Sequence, residues 1–409
     1  MKTADPELMR AINRFHVLDA IRRAGSTSRT EICAATELSS TTVSAITASL
    51  LDDGLIVSRA IGGIRSPQRG RPRVMLEVNP DAARVLGVKL GPQRIVCAVT
   101  DFQGDVLAER ATAVRVDRQS AAAIADLVED LARRCLADAQ LALGTIKSLC
   151  IALPGVTEHA TGIVRYSPIL GERDVALGEA IGARLGLPVL VESDSNAAAA
   201  AEHWFRACRG LDDFLLVAIG HSLGLAVMHG GQLFRGARGL SLHMGDLVVG
   251  GPQHPTRLAD LAAEAAILSA FASEPEFAAA TQAGTGLTLA LRCRGAAGQR
   301  LDESIAQAAE ALGIAIGNLV TLFAPPCVVL TGSSVAFGER LMQPLRAAMA
   351  ATVPPWLRDV ATLVVDDIDD VGWARGAAAV ALRELYGAPW GMTGPVMPSL
   401  AARIDEAGG

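Results

Sequence analysis

The 409 residues are half hydrophobic and carry 37 Lys and Arg against 43 Asp and Glu. That length admits two or three domains, and no apolar run approaches the ~18 residues of a bilayer helix, so no membrane role is expected. Charged residues (Lys2, Asp5, Glu7, Arg10) replace any apolar signal core, and seven scattered cysteines form no Cys-x-x-Cys pair, so reduced thiols in a cytoplasm are expected.

Charge is unevenly spread. Residues 1–80 hold 11 Lys and Arg against 8 Asp and Glu, while the remainder holds 26 against 35. A mildly basic front on an acidic body suits a nucleic-acid contact confined to one end.

Three short helices are expected at the front. Over 13–24, Phe15, Val17, Leu18 and Ile21 share a stripe, and Gly25 ends it. Ser28-Arg29-Thr30-Glu31 has the spacing of a capping box and opens a second helix to about Thr36. Ser39 can cap a third helix over 40–53, with Val43, Ile46, Leu50 and Leu51 facing inward. Ser40, Thr41, Thr42, Ser44 and Thr47 are left outside. Small hydroxyl residues at the start of such a helix suit major-groove entry, although they discriminate bases poorly.

Residues 55–57 and 74–78 read as two strands. Between them lie Arg59, Arg65, Arg69, Arg71 and Arg73 with no acidic residue. Arg69-Gly70-Arg71-Pro72 makes a narrow cationic tip, able to follow phosphates or enter a minor groove. A solvated basic loop is the alternative. The pattern predicts a winged helix-turn-helix over 1–80. Its candidate DNA contacts are Ser28, Arg29, Ser39, Ser40, Thr41, Thr42, Ser44, Arg65, Arg69, Arg71 and Arg73.

From about Ala83 strands take over: 85–90, 95–100 and 106–114 form a meander, then a helix over 121–139 and a buried strand over 146–153. A second meander follows at 214–220, 223–229 and 232–234, with a later apolar strand at 327–331. Two copies of meander-then-helix imply two similar α/β lobes and a ligand cleft between them.

Several segments together resemble the ROK family of repressors and sugar kinases. They are LSSTTVSAITASLLDDGLI with the RGRP tip, IALPGVT (151–157), the long run 166–202, and FAPPCVVLTGSSV (323–335). The resemblance spans 13 to about 386. It implies an α/β fold: a winged helix-turn-helix followed by a duplicated actin-like, two-lobed body. The lobes are expected at 81–193 and 194–387, with a tail at 388–409.

The departures from the family pattern carry function. The family's Asp-x-Gly-Gly-Thr loop is Lys89-Leu90-Gly91-Pro92-Gln93-Arg94 here, so the Mg²⁺ partner is lost and Pro92 removes an amide donor. The second phosphate loop is Gly220-His221-Ser222-Leu223-Gly224. Phosphoryl transfer depends on positioning and charge neutralisation, and both are expected to be lost together. The Glu-Asn-Asp-Ala-Asn motif becomes Glu192-Ser193-Asp194-Ser195-Asn196, keeping the base carboxylate Asp194, although Asp194 or Ser195 could equally cap the Ala-rich helix 196–205. In the sugar clamp His243 and Asp246 stand where the family has Glu and His, and Ile169 replaces an Asn. The zinc cluster's cysteines are absent from 250–261, leaving His254, so no metal and no cofactor are expected.

The resemblance therefore implies a DNA-binding regulator, not an enzyme. Its body would sense a sugar-like or altered ligand through Ser193, Asp194, Asn196, His243 and Asp246. Its partners would be a double-stranded operator and a second copy, as homodimer or homotetramer. Control by a protein partner without a small ligand, and an active sugar kinase, remain open.

Overall fold

The computed structural model describes residues 6–60, 74–236, 239–250, 255–271, 273–283 and 285–386. Arg65, Arg69, Arg71, Arg73, His254 and the tail 388–409 lie outside the described residues.

The front is α1 (Pro6–Ala24), β1 (Ser26–Thr27), α2 (Arg29–Thr36), α3 (Ser40–Asp52), β2 (Ile56–Ala60) and β3 (Val74–Val78). Gly25, at φ +74, ends α1. Ser28 and Glu31 complete the expected capping box on α2, and Ser39 accepts from the Thr42 amide to start α3. Phe15, Leu18, Ile21, Ile32, Val43 and Leu50 close the helical core against Ile56 and Leu76 of the wing strands, which pair in the order β1-β3-β2. α1 begins seven residues earlier than the apolar stripe indicates. Glu7, Met9 and Arg10 on its first turns are exposed, so that end carries no apolar signature.

The first lobe runs β4 (Arg84–Leu90), β5 (Arg94–Thr100), β6 (Val106–Ala113), α4 (Ala121–Asp138), β7 (Ile146–Leu153), the hairpin β8 (Val156–Glu158) and β9 (Ile163–Tyr166), α5 (Leu177–Leu185), β10 (Val189–Ser193) and α6 (Asp194–Phe205). The second runs β11 (Phe214–Ile219), β12 (Leu223–His229), β13 (Gln232–Leu233), the short strands β14 (Leu242–His243), β15 (Val248–Val249) and β16 (Thr256–Arg257), and the helices α7 (Ala259–Ala262), α8 (Glu264–Leu268), α9 (Pro275–Ala283), α10 (Gly286–Ala290) and α11 (Gly295–Phe323). It ends with β17 (Cys327–Thr331), α12 (Glu339–Thr352), β18 (Thr362–Val365) and α13 (Asp370–Leu385).

The duplication is visible in the sheets. The first is ordered β10-β7-β4-β5-β6 and the second β18-β17-β11-β12-β13 with β14 added on β12, so each strand of the first sheet has a counterpart in the second. In both, the central pairs are parallel and the meander is antiparallel. The final helix of each half crosses over: α6 packs on β11 and β12, while α13 returns to β4, β5 and β7. The two helices pack on each other through Gly376, where a Cβ would run into the Ala197 carbonyl. The apolar layer around α6 and α13 continues through Trp204 and Tyr386 into the core of the front module.

One element departs from the composition-based expectation about membranes. By length and composition α11 could cross a bilayer, but most of its apolar stretch is buried inside the second lobe. Its apolar face meets α12, and Gly313 and Gly317 allow the close approach.

Candidate DNA interface and ligand cleft

On α3, Ser40, Thr41 and Ser44 are exposed together with Ala45, Ala48 and Ser49. These form the outer face of the second helix of the helix-turn-helix, where a groove-reading helix presents its side chains. The other expected contacts are placed differently. Ser28 is 9% exposed and its hydroxyl and amide both bond Glu31, so it is a cap and presents nothing outward. Ser39 bonds the Thr42 amide at 3.1 Å and the Thr42 hydroxyl at 2.8 Å. Thr47 faces inward with no exposure, because Arg29 Nε donates to its Oγ1 at 2.9 Å and satisfies the buried oxygen. Arg29 thus clips α2 to α3. Arg14, which the periodicity did not single out, braces α3 from α1 by donating to Ser49 Oγ and Asp53 Oδ2.

The cleft is built where the two sheets' loops meet. Gly155, at φ +127, lets the 154–155 turn pass against the Tyr166 carbonyl, and Ser167 Oγ donates to Pro154 O at 2.6 Å. Gly224 of β12 leaves room for Ser195, and it pairs in register with His243 of β14. Asp194, Ser195, Tyr166 and His243 therefore line one region. The His243 ring meets Tyr166 edge-on with centroids 6.0 Å apart, and its Nδ1 lies 3.0 Å from Asp246 Oδ2. Asp246 also binds Arg257.

Lys89 defines the centre. Its ammonium donates to Asp194 Oδ2 at 2.8 Å and sits 4.3 Å from the Trp373 ring. Both side chains are nearly buried, at 11% and 13% exposure. The position where the family resemblance places a metal-binding carboxylate thus supplies a cation, and that cation is held by the resemblance's base carboxylate. At the other phosphate segment, Glu264 accepts from Ser333 Oγ at 2.7 Å, and its amide donates to Gly220 O at 2.8 Å. This puts a carboxylate at the seam of the two segments that the resemblance assigns to a nucleotide. Nothing in the spacing of Glu264 pointed to it.

Two expected ligand residues face inward instead. Ser193 is 1% exposed and caps α6; Asn196 is fully buried and donates to Glu192 Oε1 at 2.8 Å. Both build the floor beneath Asp194. Burial would raise the Glu192 carboxyl, but the Arg235 charge and bonds from His159 and Asn196 hold it far below the usual range. Burial lowers the His159 imidazole, yet its bonds to Glu192 and Glu384 leave it raised overall.

At its far end α6 meets the front module. Arg22 lies 4.4 Å from the Trp204 ring and binds Asp19 at 2.7 Å. Arg23 bridges Asp19 and Asp212, with His203 Nε2 at 3.2 Å. Arg209 donates to the carbonyls of Arg22 and Arg23, at 3.3 and 2.9 Å, capping the negative end of α1. Burial pushes the His203 imidazole down, with the Arg383 and Arg22 charges adding to it against the Asp212 bond. Burial also brings Arg383 down to about 10.

A trihelical module with a β-wing, joined to a duplicated kinase-like body, defines a DNA-binding transcriptional regulator. Residues 10–57 match the winged helix-turn-helix DNA-binding model and residues 85–384 match the ROK family model, so the chain belongs to the ROK family. It is 27% identical over 352 residues to the xylose repressor of Caldicellulosiruptor bescii, covering 83% of this chain and 87% of that protein. It is 30% identical over 389 residues to a transcriptional regulator of Mycobacterium tuberculosis, covering 92% and 86%. The crystal structure of a ROK family transcriptional regulator, a homolog of the Escherichia coli MLC protein, superposes with TM-score 0.72 at 24% identity, covering 93% of this chain and 98% of that one.

Proposed function

We propose that this protein is a repressor whose body has given up phosphoryl transfer and reads a sugar-like ligand in the cleft, which then releases the operator. The observation that carries this reading is α6. One helix of about 17 Å, at 1.5 Å per residue, begins at Asp194 in the cleft and ends at His203 and Trp204 against Arg22 and Arg23 of the DNA reader. A shift of Asp194 is thereby delivered to α1. Ligand would act by preferring one of two arrangements, and only to the extent of its differential affinity.

The Lys89–Asp194 pair supports loss of catalysis: the base carboxylate is neutralised by an ammonium that stands where a metal-binding carboxylate would be needed. His243, Asp246 and Asp194 remain the ligand contacts, and a xylose-like or hexose-like polyol fits their donors and acceptors. Two copies would place two readers on two half-sites.

Binding selection from genomic fragments at two salt concentrations tests the reader. A palindromic site whose affinity falls with salt is expected; absence of enrichment sinks the regulator. Titrating the bound operator with xylose and a hexose panel tests the sensor, and uniform silence would favour control by a protein partner. ATP consumption with any of these sugars would restore the kinase.

A further inference from the structure

A cavity of about 240 Å³ opens between the DNA reader and the body, well away from Asp194 and at the opposite end of α6. Arg22 of α1, Arg209 of the body and Arg375 of α13 face it, with Trp204, Phe205 and Gln103 completing the wall. The guanidiniums are positioned by rings: Arg22 lies 4.4 Å from the Trp204 centroid and Arg375 lies 3.9 Å from that of Phe205. Stacking of this kind fixes the plane of the donors. Arg22 already donates to Asp19 and the Trp204 carbonyl, so the donors with no acceptor among the described residues are Nη1 of Arg375 and Nε and Nη1 of Arg209.

The charges around the cavity do not balance. Asp105 also lines it, but is 3.2 Å from Arg375 and already engaged. Asp19 serves Arg22 and Arg23 at once. Arg209 bonds two backbone carbonyls, and among the described residues no carboxylate lies within ion-pair distance of it. Burial lowers the Arg375 guanidinium, with the Arg206 charge adding to it against Asp105 and Asp101. Arginine forks match carboxylate and phosphate oxygens two at a time.

We propose that this cavity is a second ligand site, which takes a small metabolite carrying a phosphate or carboxylate group, held between Arg209 and Arg375 and touching Arg22 of the reader. The volume suits a compact molecule. Such a ligand bridges reader and body directly, without passing through the cleft.

The test is calorimetric titration of the full-length protein with inorganic phosphate, glucose 6-phosphate and succinate, at ionic strength matched with sodium chloride, with glucose as the neutral control. At least one anion is expected to bind, with affinity reduced at least tenfold by Arg209→Gln and by Arg375→Gln. Arg133→Gln, an exposed arginine on α4, should leave binding as it is. The phosphate and succinate arms separate the two oxyanion classes. No heat from any of the three anions up to 10 mM overturns the proposal, as does binding that survives both substitutions or is displaced by glucose. Should either variant melt early, salt-matched thermal shift of the unaltered protein with each anion decides: stabilisation by one of them supports the site, and none rejects it.

Discussion

The two ends of α6 are built in opposite ways. At the cleft, Asp194 has one charged partner among the described residues, Lys89, and neighbours a wall of Tyr166 and His243. At the seam, His203 and Trp204 sit in a cluster of Asp19, Arg22, Arg23, Asp212 and Arg383 that is mostly buried and bonded several times over. A lone ion pair, although nearly buried, can be exchanged for a ligand's hydroxyls without disturbing further charges. A buried multivalent cluster cannot, because each group removed leaves another unpaired in low dielectric. The seam therefore holds the reader to α6, and on the proposed reading the cleft is the end that responds.

The largest effect should come from breaking the seam. Arg22→Ala takes two of the bonds from the buried Asp19, leaving it with Arg23 alone, and removes the ring contact with Trp204; it is expected to cost about 3–5 kcal/mol. Urea unfolding would measure it; a loss under about 1 kcal/mol, the range of an exposed pair, would mean that the seam is not what fixes the reader. Next is Gly376→Ala, whose new Cβ meets the Ala197 carbonyl and lies 3.2 Å from Ala201 Cβ. Prising α13 from α6 should cost about 1–3 kcal/mol. If the comparison holds, it should also blunt any ligand response at the operator, since α6 would lose its support midway.

Much of this molecule is legible in the sequence, and the illegible parts share a cause. The caps at Ser28 and Ser39 follow from spacing alone, because a capping bond spans three residues. The repeated meander gave the two lobes for the same local reason. Thr47 was misplaced because a hydroxyl breaks the apolar stripe, and only the distant Arg29 makes its burial tolerable. The replacement by Lys89 is plain in the sequence, but its partner lies 105 residues on and is delivered by the strand order β10-β7-β4. Arg22 and Arg23 read as ordinary basic residues at a helix end. Their meaning comes from residues 203, 204 and 212, which no period connects to them.

At the cleft the expected cost is smaller. Lys89→Met leaves Asp194 with its bond to the Ser195 amide and some solvent, so about 1–2 kcal/mol is expected. Denaturant midpoints for Lys89→Met, Asp194→Asn and the double variant give the coupling directly. A cost equal to that of Arg22→Ala would erase the contrast between the two ends.

The smallest effects are in pH, and they have opposite signs. His159 has a folded pKa raised above 6.5 by Glu192 and Glu384 against burial, so the unfolded chain releases its proton first. Its contribution is fully present below pH 6.5 and is lost as pH rises through the folded value. His203 has a folded pKa lowered by burial and by the Arg383 and Arg22 charges, so its contribution is present above pH 6.5 and is lost as pH falls through the folded value. A tenfold difference in proton affinity between the folded and unfolded chain corresponds to about 1.4 kcal/mol. Unfolding of the native protein, His159→Gln and His203→Gln from pH 5 to 8.5 separates the two. His159→Gln should flatten the alkaline side of the profile and His203→Gln the acid side. The reverse assignment would show that the seam imidazole carries a proton, and that the arginines around it are not what excludes one.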